Sequence, residues 1–254
     1  MKPGCTFTKT AQSFGARLTY SSAMTGPIHQ STGVAATNAA PTGVPSIDAF
    51  VLGPFATNCY LVRTATAQGC WIVDPGFDPS PVIRRVKELD LRPQAVLLTH
   101  AHVDHIAGID SVLRAFPKTP VLLHEAEKGW LSNPELNLSA LAGEQVTAHG
   151  PDVTIRDGQT LTLEGMEWLV LATPGHSPGG VTFYHAPSNS AIVGDSLFSG
   201  SIGRTDFPGS DFQTLENSIK ARLYTLPDST TIYPGHGPTS SIGMEKRNNP
   251  FVRA

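Results

Sequence analysis

Residues 99–105 constrain this chain of 254 residues more than any other stretch. They read Thr-His-Ala-His-Val-Asp-His and follow the apolar run at residues 95–98, so we expect them just beyond the end of a strand. Three imidazoles and a carboxylate in so short a stretch are the ligand types that divalent metals of intermediate softness prefer. The stretch therefore predicts a metal-binding loop at the edge of a sheet, and a solvated histidine-rich loop is the alternative.

Three later residues of ligand type also follow apolar runs and lie beside glycines: His176 in PGHS, Asp195 in GDS and His236 in PGHG. Taken singly, His176 is better explained as a surface or core residue, and Asp195 is as well explained as a turn carboxylate. Loops at strand ends are, however, where binding residues concentrate, and a neighbouring glycine lets the backbone approach an ion closely. Their joint occurrence favours a shared site.

In that order, the motifs HAHVDH, PGHS, GDSLF and PGHG resemble those of the metallo-β-lactamase superfamily, and the resemblance covers roughly residues 47–254. It implies two divalent metal ions, with zinc the first expectation and iron or manganese as alternatives. The implied ligands are His100, His102 and His176 for one ion, Asp104, His105 and His236 for the other, and Asp195 as a bridge between them.

Composition limits the partners of the chain. The net charge of −3 and the lack of a Lys/Arg-rich run argue against binding to a nucleic-acid backbone, and no apolar stretch is long enough to cross a membrane. Cys5, Cys59 and Cys70 form no CxxC pair. These features predict a small-molecule substrate and a cytoplasmic location, with an organelle as the alternative if residues 1–45 include a transit peptide.

Residues 1–45 differ from the rest because Ser, Thr, Ala, Gly and Pro dominate and no acidic residue precedes Asp48. This composition predicts a disordered N-terminal extension that does not pack into the core, followed by one hydrolase domain at residues 46–254. One alternative is a transit peptide, which Lys2, Lys9 and Arg17 without acidic residues would suit. The other is an upstream start codon, with Met24 as a later candidate start.

Hydrophobic periodicity predicts two groups of strands with helices between them. The strands are expected at residues 47–52, 59–63, 71–73, 95–98, 121–123, 160–163, 167–172, 181–184, 191–193 and 230–233. Helices are expected at residues 80–90 (with Ser80 as N-cap and Pro81 first), 109–116 and from Ser210 onward. The pattern alone allows an α/β or an α+β fold. The resemblance implies α+β, an αββα sandwich of two stacked mixed sheets flanked by helices, with the site on one edge.

Two further stretches resemble the glyoxalase II group, the hydroxyacylglutathione hydrolases, in its short form without a C-terminal helical domain. They are GRTDF at residues 203–207 and EKRNNPFVR at residues 245–253. This resemblance implies hydrolysis of a thioester such as S-lactoylglutathione by a metal-bridging hydroxide, with Asp104 and Asp195 as catalytic residues. By its charge, Arg204 is expected to attract an anionic substrate, and a solvated surface charge is the alternative. Arg204-Thr205-Asp206 replaces a Lys-Phe-Tyr stretch that contacts glutathione in longer members, so recognition of glutathione itself is not implied.

Other functions compete with this interpretation. GRTDF also resembles the persulfide dioxygenases, which use one iron and oxygen, but their final loop reads like PAHD where this chain has PGHG at residues 234–237. Hydrolysis of another ester or lactone is a second alternative. A binding module without turnover predicts missing ligands, and none is missing; covalent catalysis lacks a GxSxG elbow. His124 and His149 lie outside the motifs and are predicted to be structural or surface residues.

Overall fold

The computed structural model describes residues 43–254, which form two stacked six-stranded sheets flanked by helices. Predictions that concern residues 1–42, including Cys5, Met24 and the basic residues near the start, lie outside this range. Within residues 43–254, no helix is long and apolar enough to span a membrane.

The first sheet holds its strands in sequence order, with antiparallel pairing at one side and parallel pairing at the other. Strands β1 to β3 pair antiparallel and β3 to β6 pair parallel. The strands are β1 (Ser46–Leu52), β2 (Thr57–Arg63), β3 (Gly69–Val73), β4 (Arg92–Leu97), β5 (Val121–His124) and β6 (Val153–Ile155).

The second sheet has the order β14-β13-β10-β9-β8-β7, in which only β10 and β13 pair parallel. A separate small hairpin, β11 (Leu197–Phe198) and β12 (Ser201–Ile202), follows β10. The strands of the sheet are β7 (Thr160–Leu163), β8 (Met166–Ala172), β9 (Val181–His185), β10 (Ser190–Gly194), β13 (Thr231–Pro234) and β14 (Ser240–Ser241).

The helices are short and cover the outer faces of the sheets. They are α1 (Ser80–Glu88), α2 (Val103–Ile106), α3 (Ile109–Ala115), α4 (Phe212–Ser218) and α5 (Ile242–Asn248), and α4 continues as a π-helical turn, Ile219–Leu223. Short 3-10 helices lie at Glu125–Glu127 and Ala186–Ser188. The side chains of Asp211 and Ser241 cap α4 and α5 by accepting backbone N–H bonds.

Three buried apolar layers account for the architecture. Between the sheets, residues of the first sheet such as Trp71 and Leu97 pack against Trp168 and Phe183 of the second, and the rings of Trp71 and Trp168 meet edge to face at 6.1 Å. The outer layers bury Val82 and other residues of α1 and α3 against the first sheet, and those of α4 and α5 against the second. This four-layer arrangement confirms the predicted αββα sandwich.

The structure corrects several predicted boundaries. Ser80 is the first helical residue of α1 and not its N-cap, because Pro79 occupies the cap position, and the helix ends at Glu88. Strand β4 begins at Arg92, three residues before its predicted start, because its pairing with β3 includes Arg92 and Pro93. The predicted set lacked β6, β11, β12 and β14, which are strands of two or three residues, and the four-residue helix α2. It also lacked α5, whose charged sequence contains Gly243.

Candidate metal centre

Four loops with ligand-type residues leave the carboxyl ends of strands and meet at one edge of the sandwich. Residues 99–105 follow β4 of the first sheet, whereas His176, Asp195 and His236 follow β8, β10 and β13 of the second. Strands β8 and β10 are both antiparallel to β9, and β13 is parallel to β10, so all three carboxyl ends lie on the same side. The structure brings all seven predicted ligand residues together.

The first group consists of three buried histidines: His100, His102 and His176. Their rings lie 4.6–5.0 Å apart, and the His102 Nδ1 and His176 Nε2 atoms are separated by 2.9 Å. Ligand nitrogens around a tetrahedral zinc ion lie roughly 3.3 Å from one another. Burial lowers the pKa of His102 to about 3 and lowers that of His100 as well, which favours the neutral imidazole that binds metals.

The second group consists of Asp104, His105 and His236 and is more open, since 29% of the His236 side chain is exposed. The Asp104 Oδ2 atom lies 3.4 Å from His105 Nε2 and 3.1 Å from His236 Nε2. Burial opposes ionisation of Asp104, but the charge of His105 and a hydrogen bond from His236 outweigh it and hold the pKa at about 2. The carboxylate is therefore ionised at neutral pH.

Asp195 lies between the two groups. Its Oδ1 atom is 3.4 Å from His105 Nε2, and its Oδ2 atom is 3.5 Å from His176 Nε2 and 3.4 Å from His236 Nε2. One carboxylate thus faces histidines of both groups with its two oxygens. This is the arrangement that a carboxylate shared by two cations requires, because each oxygen can bind one ion.

The donor set fits divalent cations. His100 Nε2, His105 Nε2 and Asp195 Oδ1 are buried and, within residues 43–254, have no hydrogen-bond partner. Buried polar atoms are rarely left without a partner in proteins, and imidazole and carboxylate are typical ligands of zinc, iron and manganese. Gly235 packs directly against the Asp195 carboxylate, where a Cβ atom would clash, so the backbone comes as close as only glycine permits.

In three of the five histidines, the nitrogen that faces away from the site is also held. His105 Nδ1 lies 3.0 Å from Asp74 Oδ2, His176 Nδ1 lies 2.8 Å from the Arg204 carbonyl oxygen, and His236 Nδ1 lies 3.1 Å from the Phe55 carbonyl oxygen. All three partners are acceptors, so each Nδ1 carries a proton and each Nε2 faces the site. Burial opposes protonation of His236, but hydrogen bonds to Asp104 and Asp195 outweigh it and raise its pKa to about 10, and the neighbouring carboxylates raise the pKa of His105 as well. A bound cation would therefore replace the Nε2 proton of these two residues. The site is therefore preorganised for ligation.

Asp74 is a functional residue that the sequence predicted only as part of a turn. It is 1% exposed and accepts hydrogen bonds from the Thr99 backbone N–H at 2.8 Å and from Thr99 Oγ1 at 2.6 Å, besides its contact with His105. Thr57 is a second such residue, because its hydroxyl donates to Asp104 Oδ2 at 2.7 Å. A carboxylate at the end of β3, adjacent to β4, was the available signal for Asp74.

The C-terminal motif stabilises the hairpin beside the site. Buried Glu245 accepts the Gly200 N–H at 2.9 Å, and Asn249 Nδ2 donates to the Ser201 carbonyl oxygen at 3.0 Å. This hairpin carries Phe198, whose ring lies 6.0 Å from that of His236. The motif thus fixes one wall of the site.

The remaining residues that the sequence analysis singled out lie outside the cluster of ligand-type residues. Arg204 is exposed, donates two hydrogen bonds to Asp206 and lies over the Phe207 ring at 4.2 Å. His124 caps a 3-10 helix and His149 is exposed, and neither belongs to the cluster. Cys59 and Cys70 are buried free thiols; burial raises the pKa of Cys70 to about 12, so it is not a nucleophile at neutral pH.

Comparison with known proteins places this geometry among metal-dependent enzymes. The Metallo-beta-lactamase superfamily profile matches residues 52–236. The "Probable metallo-hydrolase YqgX" of Bacillus subtilis (strain 168) is 41% identical over 202 residues, which cover 79% of this chain and 94% of that protein. The hydroxyacylglutathione hydrolase GloC of Haemophilus influenzae (strain ATCC 51907 / DSM 11121 / KW20 / Rd) is 34% identical over 210 residues, which cover 82% and 99% respectively.

Solved structures agree. The BLEG-1 B3 metallo-beta-lactamase has a TM-score of 0.79 and 40% identity, covering 82% of this chain and all of that chain. A di-iron-bound form of TTHA1623 has a TM-score of 0.72 and 37% identity, with 81% and 100% coverage. ETHE1 from Myxococcus xanthus has a TM-score of 0.66 and 26% identity, with 81% and 83% coverage.

Proposed function

Because the chain belongs to the metallo-beta-lactamase superfamily, we propose that it is a dinuclear metallohydrolase that cleaves a thioester. The observation that carries the proposal is the position of Asp195, whose two oxygens face histidines from both groups. A carboxylate in this position would offset part of the repulsion between two bound cations. His100, His102 and His176 would hold one ion, and Asp104, His105 and His236 the other.

When bound, a pair of divalent ions supplies a water of lowered pKa and a Lewis acid for the substrate carbonyl. The residues of the chain prepare the site for them. Asp74 and the carbonyl oxygens of Arg204 and Phe55 accept the Nδ1 protons of His105, His176 and His236, so that the Nε2 atoms of these three histidines face inward. Asp104 is ionised, and a hydrogen bond from Thr57 fixes its orientation.

The leaving group favours a thioester over an amide. A thiol with a pKa of about 8.5 departs largely as the thiolate, without protonation by a dedicated general acid. The carboxylates in the centre, Asp104 and Asp195, both have lowered pKa values, because the favourable contacts with neighbouring histidines outweigh the effect of burial. They are therefore poor acids at neutral pH, and this site suits a substrate that needs none.

The relatives support the same substrate class. GloC is named as a hydroxyacylglutathione hydrolase, and alignment with it spans nearly its whole length. S-lactoylglutathione is therefore the first probe. Arg204 is the residue we propose to attract the anionic part of the substrate, which would compete with Asp206 for the guanidinium group. We further propose a cytoplasmic location and no nucleic-acid or membrane partner.

Two other activities are the alternatives to thioester hydrolysis. The name of BLEG-1 motivates a β-lactam substrate, and the GRTDF motif motivates oxygen-dependent oxidation of a persulfide. A β-lactam has an amide nitrogen as leaving group, which the ionised Asp104 and Asp195 do not readily protonate. We therefore place thioester hydrolysis first.

The deciding experiment runs three assays on one preparation reconstituted separately with zinc, iron and manganese. Thiol release from S-lactoylglutathione, β-lactam opening and oxygen uptake on glutathione persulfide are followed in parallel. The proposal predicts thiol release as the fastest reaction and its loss on chelation. Persulfide-dependent oxygen uptake without thioester cleavage under any metal loading would overturn it in favour of a dioxygenase.

A further inference from the structure

We propose that Glu127 is a positioning residue that sets the metal affinity of the three-histidine group and leaves that of the second group unchanged. The inference rests on the metal centre in the proposed function and adds a residue that lies outside every sequence motif. Glu127 ends a short 3-10 helix after β5 and is 0% exposed. It contacts the two loops that carry the histidines and none of the predicted ligand side chains.

Each oxygen of Glu127 accepts a backbone hydrogen bond from a different loop. The N–H of Ala101, which lies between His100 and His102, donates to Oε2 at 2.7 Å. The N–H of Gly179, three residues after His176, donates to Oε1 at 2.7 Å. One carboxylate thus ties the ligand loop of the first sheet to the ligand loop after β8 of the second sheet. Rotation or removal of this carboxylate would free both loops.

The packing around Glu127 also favours a role in holding the two loops. A Cβ atom added at Gly179 would lie 2.8 Å from the Glu127 Cγ and Cδ atoms, so the loop reaches the carboxylate only because residue 179 is glycine. No Lys or Arg within residues 43–254 pairs with Glu127. A buried carboxylate without a cationic partner is costly to maintain, which favours a role beyond filling space.

The second group has supports of its own that do not involve this carboxylate. Asp104 is held by Thr57, His105 by Asp74 and His236 by the Phe55 carbonyl oxygen. Loss of the Glu127 contacts therefore displaces His100, His102 and His176 while leaving these bonds in place. Partners that orient metal ligands typically change metal affinity by about 10- to 100-fold when they are replaced.

The test is a zinc titration of the purified protein against a competing chelator, with no substrate present. In Glu127→Gln, the amide has one acceptor oxygen and turns an NH₂ group toward the second backbone N–H, so one loop loses its partner. We expect one of the two ions to bind about 10- to 100-fold more weakly and the other to keep its affinity within about threefold. Imidazole ¹⁵N signals of His102 and His236 identify the group that loads later.

Glu125→Gln is the matched control, because Glu125 belongs to the same 3-10 helix but is exposed and pairs with Arg156. It should leave both affinities unchanged. Gly179→Ala is the second variant, because it disturbs the contact between Glu127 and the loop after β8 without deleting a buried charge. If Glu127→Gln does not fold, Gly179→Ala alone tests the inference. The expected result is the same selective weakening at His102.

Equal weakening of both ions, or unchanged affinities in both folded variants, would overturn the inference. Metal binding is measured without turnover, so failure of thioester hydrolysis leaves this result standing. A wild-type protein that binds no metal would overturn the proposed centre and this inference together, and that outcome is distinct from a failure confined to Glu127.

Discussion

The two sheets contribute to the centre in different ways. The first sheet places four ligand residues on one continuous loop after β4, residues 99–105, and two buried carboxylates, Asp74 and Glu127, hold that loop. The second sheet delivers His176, Asp195 and His236 singly from three strand ends. Backbone carbonyl oxygens orient both of those histidines.

The two sheets therefore differ in whether side chains or the backbone hold their ligand loops in place. The loop of the first sheet depends on side chains that a point substitution removes. The loops after β10 and β13 of the second sheet depend on strand register and on close backbone packing, such as the Gly235 N–H that donates to the Gly194 carbonyl oxygen at 2.9 Å. The loop after β8 is the exception, because its Gly179 N–H donates to Glu127. We call the ligands contributed by the first sheet the first half of the centre and those contributed by the second sheet the second half. Substitutions of supporting residues are expected to affect the first half more, and substitutions of ligands to affect both halves.

Asp195→Ala removes the ligand that connects the two halves and should have the largest effect. We expect turnover to fall by roughly 10²–10³-fold or more, because the shared carboxylate and the charge it offsets are lost. The strands remain packed, so the thermal unfolding midpoint of the metal-free protein should shift by less than about 4 °C. Assays of turnover and of thermal unfolding measure the two quantities.

Asp228→Ala is a suitable control, since Asp228 is exposed, pairs with Lys246 at 2.7 Å and is none of the predicted ligand residues. Near-normal turnover of Asp195→Ala with both ions bound would show that Asp195 does not have the bridging role.

Asp74→Asn tests side-chain control in the first half. The amide can replace only one acceptor of a carboxylate that serves both Thr99 and His105, so His105 loses its fixed orientation. We expect metal affinity or turnover to fall by about 10- to 100-fold. Metal content after dialysis reports the effect, and a variant with unchanged content and turnover would break the distinction between the two halves.

The sequence made the first half easier to predict than the second. Residues 99–105 contain four ligand-type side chains in one motif, and they could be assigned before any contact was known. His176 and His236 were ambiguous singly, because their meaning depends on which strand ends become neighbours. Their assignment came from the resemblance, and the sheet order supplies the physical reason.

Supporting residues could not be predicted in this way. Glu127 lies in a charged stretch, His-Glu-Ala-Glu-Lys, that is typical of an exposed helix, and only the packing of Ala101 and Gly179 around it shows that it is buried. Asp74 has partners 25 and 31 residues away in the sequence. Local patterns carry little information about hydrogen bonds of that range.

Arg204→Ala should have a smaller effect, confined to substrate binding. Its side chain is 65% exposed and faces no predicted ligand side chain, so the metal centre should remain intact. If the contact with the anionic substrate is equally strong in the ground and transition states, we expect KM to rise several-fold with kcat nearly unchanged. Steady-state kinetics at two salt concentrations test this, and a loss confined to kcat would contradict it.

A chain that begins at Val44 should show the smallest effect. The composition of residues 1–45 predicts that they do not pack into the core, whereas β1 begins at Ser46. Metal content and turnover should match those of the full chain. Insoluble or inactive protein would show that the N-terminal residues belong to the folded structure.

Metal stoichiometry tests the central claim most directly, namely that the two sheets together hold two ions. Seven ligand residues, one of them shared, suffice for two ions when water completes each shell. Elemental analysis of purified protein reconstituted with zinc, iron or manganese should give two ions per chain with at least one of these metals. A value of one or less with all three metals would contradict the account.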